Sequence, residues 1–298
     1  TYEYNPEKEN IVKSKYLNSE TKYPDYSTLY NVKEVEVKSH DGVMVPLSII
    51  YPKNIKMDGS SPAYITGYGG YGFSYEPRFS TRLSVLLEQG VVLAIAHVRG
   101  GGEKGENWHK DGMKGKKPNT WKDFIACSEY LISQKYTSSS KLIGNGVSMG
   151  GVLIGRTITE RPDLFAVAIA EVGMTNAIRS EITPNGPNQI PEIGTLKDEE
   201  DTKNLLEMDA QSKVKAGIKY PAVIIRTGMN DSRVEPWEPG KFAAILQKNS
   251  GSGKPVLLYV NYENGHFTSD FDVVFKEYAD IYSFALWQVG HPKFQLVK

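Results

Sequence analysis

A chain of 298 residues, 40% of them apolar, is long enough for one large α/β domain or two small ones with a buried core. Lys plus Arg and Asp plus Glu stand at 35 each, so bulk charge favours neither nucleic acid nor an anionic membrane. A single cysteine, Cys127, excludes an intramolecular disulfide and a multi-cysteine metal site.

Residues 1 to about 30 are polar, tyrosine-rich and punctuated by Asn5-Pro6 and Tyr23-Pro24, with little that could form a core. The first ten residues lack signal-peptide character and an initiator methionine, which reads as a processed or excised piece. No apolar run approaches the length that spans a bilayer. The expectation is therefore a soluble protein without membrane partners, cytoplasmic in the first place, with the periplasm or secretion as alternatives. Val32–Lys38 alternates strictly between apolar and polar residues and predicts a half-solvated strand; Met44–Tyr51 returns after the turn His40-Asp-Gly42, so the sheet opens with an antiparallel hairpin.

From Ala63 the pattern changes. Ala63–Thr66, Val91–His97, Lys141–Gly144, Ala166–Ala170, Ala222–Arg226 and Val256–Val260 are continuous apolar runs. Such runs predict strands covered on both faces, the mark of a mainly parallel sheet. Between them lie segments of helical period: Thr81–Glu88, Trp121–Gln134, Gly151–Arg161, Lys203–Ser212 and Pro239–Lys248. A last one, Ser269–Val289, places Phe271, Val274, Tyr278, Ile281 and Ala285 on one face. Cys127 shares a helical face with Phe124 and Leu131 and reads as a buried core thiol. Strands alternating with helices predict an α/β class, doubly wound fold over residues 31–298. Glu181–Glu200, rich in proline and glycine, predicts an irregular excursion over the carboxyl ends of the strands, where such sheets bind ligands.

Gly146-Val-Ser-Met-Gly150 is a G-x-S-x-G placed between a strand and a helix. In such an elbow the serine backbone is strained, so its neighbours must carry almost no side chain; Gly146 and Gly150 meet that need, and Gly144 and Gly151 add slack. Ser148 is the candidate nucleophile. It needs a base, and the base needs an orienting carboxylate, in the order Ser, Asp, His along an α/β-hydrolase chain. Downstream of Ser148 only His266 and His291 occur. His266 follows a strand directly in a loop relieved by Gly265, whereas His291 lies near the tail, so His266 is the candidate base. Asp231, just past the strand Ala222–Arg226, is the candidate carboxylate, with Glu235 second.

Acyl transfer also needs donors for a developing oxyanion. One is the backbone N–H of Met149; the other should come from the glycine-rich loop Thr66–Phe73. That loop lacks a phosphate-binding signature, so no nucleotide role is assigned. His97 and His109 have no second ligand at metal spacing and read as structural. No cofactor and no metal are called for.

Gly67-Tyr-Gly-Gly-Tyr-Gly-Phe73, Ala96-His-Val-Arg-Gly-Gly-Gly-Glu-Lys-Gly-Glu-Asn-Trp-His109, Gly146–Gly151 with Arg161-Pro-Asp-Leu-Phe165, Asn230–Pro236 and Gly265-His266 together resemble the catalytic domain of the prolyl oligopeptidase family of serine peptidases. The resemblance runs in order from about Val32 to the C-terminus. It implies an α/β-hydrolase fold, with Ser148, Asp231 and His266 as triad and the Tyr68 hydroxyl beside the Met149 amide as oxyanion donors. It also implies that Arg233 holds a substrate carbonyl and that Tyr71 belongs to the substrate-binding set. Family members carry a β-propeller over the site, and this chain has no room for one. Residues 1–30, with the stretch Tyr2–Tyr16, resemble a remnant of a last propeller blade. A face left bare of a propeller would be open to formation of a homo-oligomer. Prolyl-specific members stack a tryptophan on the substrate proline; here the matching segment is Pro187–Pro191, and no tryptophan lies between Trp121 and Trp237.

The expected function is a serine hydrolase cleaving short peptides through an acyl-enzyme. The alternative is a propeller-less carboxylesterase for small esters, because an open site attacks activated esters readily. A scaffold that kept the fold and lost catalysis stands behind both.

Overall fold

The computed structural model describes residues 2–14, 25–78 and 80–296. Two compact units divide the chain, Thr1–Tyr30 and Asn31–Lys298. The smaller holds an antiparallel pair, β1 (Tyr2–Asn5) and β2 (Asn10–Lys13), in register from Tyr2 opposite Lys13 to Asn5 opposite Asn10. Asn5 accepts the backbone N–H groups of Glu7 and Lys8 at Oδ1, which closes the connection. The part of the blade resemblance that falls on Lys15 and Tyr16 lies outside the described residues.

The larger unit is built on one sheet. β3 (Tyr30–Lys38) and β4 (Met44–Pro52) carry the alternating pattern, and the turn between them closes with the Ser39 N–H on the Val43 carbonyl at 2.8 Å. Then come β5 (Ala63–Gly67), β6 (Val92–Ala96), β7 (Leu142–Val147), β8 (Val167–Glu171), β9 (Ala222–Gly228) and β10 (Val256–Asn261). Across the sheet the order is β10-β9-β8-β7-β5-β6-β4-β3. β4 runs antiparallel to β6, and from β6 through β5, β7, β8 and β9 to β10 every pairing is parallel. This is the doubly wound α/β arrangement that the alternating pattern predicts, opened by the antiparallel strand β4.

Helices cover both faces because the central strands have no polar side to offer to water. α1 (Thr81–Glu88) and α8 (Phe271–Gln288) pack on one face through Leu86, Tyr278, Ile281 and Ala285. α3 (Pro118–Ser133), α4 (Gly150–Glu160) and α7 (Trp237–Asn249) pack on the other through Phe124, Leu153, Phe242 and Leu246. Cys127 is fully buried in that second layer, and burial pushes its thiol far up in pKa, so it is inert. A short α2 (Glu106–Lys110) precedes α3. Among the described residues no helix is long and apolar enough to cross a membrane.

Three expectations change. β10 is only partly covered on both faces, with the consecutive Leu257 43% and Leu258 40% exposed, because it is the edge strand and lies at the margin of the helical layers. Phe271 is 76% exposed rather than on the packed stripe of α8, since it sits at the first position of that helix, beyond the sheet. The excursion 181–200 is largely helical: α5 (Gly186–Ile193) lies within it, and α6 (Glu199–Met208) begins four residues before the expected Lys203. Pro187 occupies the opening of α5, where a missing N–H costs nothing, so a proline that reads as a breaker starts a helix instead.

Candidate active site

The elbow follows β7 directly. Ser148 has φ +56°, a left-handed backbone that a non-glycine residue adopts only under constraint. Its N–H donates to the Glu171 carbonyl at 2.9 Å and its own carbonyl accepts from Gly151 at 2.8 Å and Met174 at 2.9 Å. These bonds hold the strained turn at the end of β8. A Cβ on Gly146 would stand 2.0 Å from the Gly150 carbonyl oxygen, so residue 146 must be glycine. Gly144 and Gly151 are not slack: a Cβ would meet Ile154 and Phe165 at 2.8 Å in the first case and Met174 N at 2.4 Å in the second. Both let α4 settle close to the sheet.

Asp231 and His266 come from adjacent parallel strands whose pairing continues into their loops. Past β9 and β10, Met229 N–H reaches the Asn261 carbonyl at 2.8 Å and Asn230 N–H the Asn264 carbonyl at 3.0 Å. A Cβ on Gly228 would strike the Gly265 carbonyl at 2.1 Å, so this glycine lets the two loops touch. Asp231 is 3% exposed; Oδ1 accepts the backbone N–H groups of Arg233 and Val234, each at 2.9 Å. Oδ2 stands 2.7 Å from His266 Nδ1, and His266 Nε2 stands 3.0 Å from Ser148 Oγ. With Nδ1–H donated to the carboxylate, Nε2 is left as the acceptor facing the serine hydroxyl. Phe267 packs edge-on to the imidazole at 4.4 Å and limits its swing.

Tyr68 follows β5 and is braced by Phe73 at 5.6 Å and Tyr75 at 6.5 Å between ring centres. Burial raises its phenol pKa, opposed by a hydrogen bond to Ser148 and by the charge of Arg233. The phenol therefore stays a donor beside the serine. Met149 opens α4 and is 2% exposed.

A pocket of about 330 Å³ opens beside Ser148, lined by Tyr71, Met149, Met174, Asn185, Asn188, Gln189, Arg233 and Val234. Of the sequence-predicted site residues, Tyr71, Ser148, Met149 and Arg233 line it, and His266 with Asp231 behind it adjoins Ser148. Tyr71 has φ +56° and its hydroxyl donates to Gln189. Arg233 is exposed, its guanidinium 5.9 Å from the Phe267 ring centre. Glu235 instead lines a separate depression with Arg179 and Lys241, and His291 Nε2 faces the Gln89 carbonyl at 3.1 Å; neither second choice reaches the serine. Asn185, Asn188 and Gln189 escaped the reading of residues. The only signal for them was the position of the excursion they belong to.

His97 Nε2 lies 2.7 Å from Ser48 Oγ with Glu103 3.7 Å from Nδ1, and His109 Nε2 lies 2.8 Å from Glu192. Each histidine thus has a carboxylate that linear spacing did not show. Among the described residues no group of three or more potential ligands could hold a metal.

A mainly parallel sheet that delivers a hydroxyl, an imidazole and a carboxylate in line from the ends of β7, β10 and β9 defines the α/β-hydrolase class. Residues 77–292 match the model of the prolyl oligopeptidase family, and the chain belongs to that family. It is 36% identical over 263 residues to a prolyl endopeptidase of Elizabethkingia meningoseptica, covering 88% of this chain and 37% of that protein. Two solved structures are similar. A prolyl endopeptidase studied for inter-domain dynamics in catalysis and specificity superposes with TM-score 0.86 at 35% identity, over 88% of this chain and 39% of that one. Oligopeptidase B from Leishmania major gives 0.87 at 30%, over 97% and 40%. The chain spans little more than a third of the length of these relatives.

Proposed function

We propose that this chain hydrolyses short peptides through an acyl-enzyme formed on Ser148. The observation that carries the reading is the 3.0 Å approach of His266 Nε2 to Ser148 Oγ, with Nδ1 held 2.7 Å from Asp231. His266 takes the hydroxyl proton as Oγ attacks the carbonyl carbon, and returns it to the leaving amine nitrogen as the C–N bond breaks. Water, deprotonated by the same imidazole, then releases the acid and restores the serine. Asp231 fixes the tautomer and stabilises the imidazolium. The Tyr68 hydroxyl and the Met149 N–H meet the negative oxygen of each tetrahedral intermediate.

The pocket supports a side chain without positive charge on the acyl side. Met149, Met174 and Val234 offer an apolar floor, Asn185 and Asn188 offer amides, and none of the lining residues is acidic, so nothing there pairs with a substrate lysine or arginine. No tryptophan lines it, so no indole is at hand to stack on a proline ring. Arg233 is free to donate to a backbone carbonyl of the bound peptide. Similarity to a protein named prolyl endopeptidase favours peptides over esters. The unit formed by residues 1–30 we read as blade-like, on the support of its antiparallel pair.

The test compares hydrolysis of a p-nitrophenyl ester with blocked peptide p-nitroanilides carrying leucine, proline or lysine before the scissile bond. Turnover of the leucine amide, at least about tenfold above the lysine amide in kcat/KM, is expected. Ester hydrolysis with every amide at background would overturn the peptide reading in favour of an esterase.

A further inference from the structure

Lys117, at the mouth of α3, is completely buried, and so is its partner Glu192 on α5 at 2% exposure. Lys117 Nζ donates to the Gly69 carbonyl at 2.6 Å and to Glu192 Oε1 at 3.0 Å, and the second oxygen of Glu192 faces His109 Nε2 at 2.8 Å. An ammonium without water is costly, and its burial indeed lowers the Lys117 pKa against the opposing pull of Glu192. Packing alone would be served as well by an apolar side chain of the same volume. What an apolar side chain could not do is hold the carbonyl of residue 69.

That carbonyl is the one next after Tyr68. Gly69 has φ +70°, and a Cβ there would stand 2.3 Å from Thr120 Cγ2, so the chain turns tightly against α3 as it leaves the tyrosine. A Cβ on Gly100 would lie 2.3 Å from the Gly69 oxygen, so the carbonyl is confined on that side while Lys117 holds it on another. At the far end of the loop the Gly72 N–H bonds the Gly100 carbonyl at 3.1 Å, and a Cβ on Gly72 would touch the His109 ring at 3.2 Å. Lys117 therefore holds residue 69 by a hydrogen bond, while the His109 ring, bonded to Glu192, packs beside residue 72.

We infer that the buried Lys117–Glu192 pair is a positioning device for the Tyr68 hydroxyl, holding it where the oxyanion develops. The inference rests on the proposed role of Tyr68. Lys117 and Glu192 touch no substrate; they act through the tyrosine. Positioning of a donor used only in the transition state shows in kcat with KM little changed.

The test is a double-mutant cycle on the 298-residue chain with a p-nitrophenyl ester, rates divided by sites titrated with a fluorophosphonate so that only folded, active protein counts. Tyr68→Phe is read first; an unchanged kcat would defeat the oxyanion role of Tyr68 and this inference with it. Given a loss there, Lys117→Met should lower kcat on the order of tenfold or more with KM within about twofold, and the same change in the Tyr68→Phe background should cost less than about threefold. Glu192→Gln, which keeps shape and removes charge, should show a smaller loss with the same dependence on Tyr68. It decides the matter where Lys117→Met yields no titratable protein. A loss from either variant that persists undiminished beside Tyr68→Phe, or a wild-type kcat in both, would overturn the positioning role while leaving that of Tyr68 intact.

Discussion

Gly70 lies so close to Met149 that a Cβ on residue 70 would stand 2.6 Å from Met149 Cγ. The loop that carries Tyr68 and the elbow that carries the Met149 N–H thus rest on each other, and the bulky residue after Ser148 is accommodated by the missing side chain at position 70. Gly70→Ala is expected to lower kcat by roughly ten- to a hundredfold, because a displacement near 1 Å of a catalytic donor has that scale of effect. Gly70→Ala with Met149→Ala should regain most of it, since the backbone donor survives. Steady-state ester hydrolysis by both variants checks this; a double variant as slow as the single one would show that the two loops are not coupled through this contact.

Tyr68→Phe should reduce kcat by about a hundredfold with little change in folding, the scale seen when one oxyanion donor is removed. Burial raises the Tyr68 pKa above its ordinary value of 10.0, so the phenol keeps its proton through the mildly alkaline range. A pH–rate profile should therefore hold its plateau from neutral pH to about 10 in wild type, as far as this group governs it. An alkaline fall well below 10 that disappears in Tyr68→Phe would contradict the assignment.

Asp231→Asn keeps the shape of the site and removes the charge that sets the imidazole tautomer. A loss of about ten thousandfold in kcat is expected near neutral pH. Oδ1 also closes its own turn through the Arg233 and Val234 N–H groups, so Asp231→Ala should additionally lower the melting temperature, which calorimetry would read.

The fold, and the meeting of Ser148, Asp231 and His266 in one candidate site, were legible because each depends on short-range chemistry. Gly146, Ser148 and Gly150 are neighbours in sequence as in space, and Asp231 and His266 follow strands that apolar runs already mark. The buried contacts beside residues 69–72 were not legible, since Lys117 and Glu192 are 75 residues apart and His109 and Glu192 83 apart. Nothing in linear spacing brings such groups together. α5 was missed for another reason: Pro187 and Pro191 read as breakers, yet one opens the helix and the other sits in its last turn. The exposure of Leu257 and Leu258 depends on β10 lying at the sheet edge, a property of strand order that no local pattern encodes.

Glu238, at the start of α7 and 2% exposed, carries a pKa pushed up to about 8 by burial, with the charges of Asp209 and Asp231 adding to the rise. The folded protein thus binds a proton that the unfolded chain, with the ordinary value of 4.5, has released between those two pH values. Stability from this group is fully present below about 4.5 and is lost as pH rises through about 8. Denaturation midpoints in urea should fall across that window in wild type and fall less in Glu238→Gln, which is neutral throughout. Equal slopes in the two proteins would show that Glu238 is ionised in the fold.

The central claim is that Ser148 is the group that becomes acylated. Intact-mass and peptide analysis after treatment with a fluorophosphonate should find one adduct per chain, on the peptide bearing Ser148, absent in Ser148→Ala and strongly slowed in His266→Ala. An unlabelled wild-type chain, or an adduct on another residue that survives Ser148→Ala, would contradict the account.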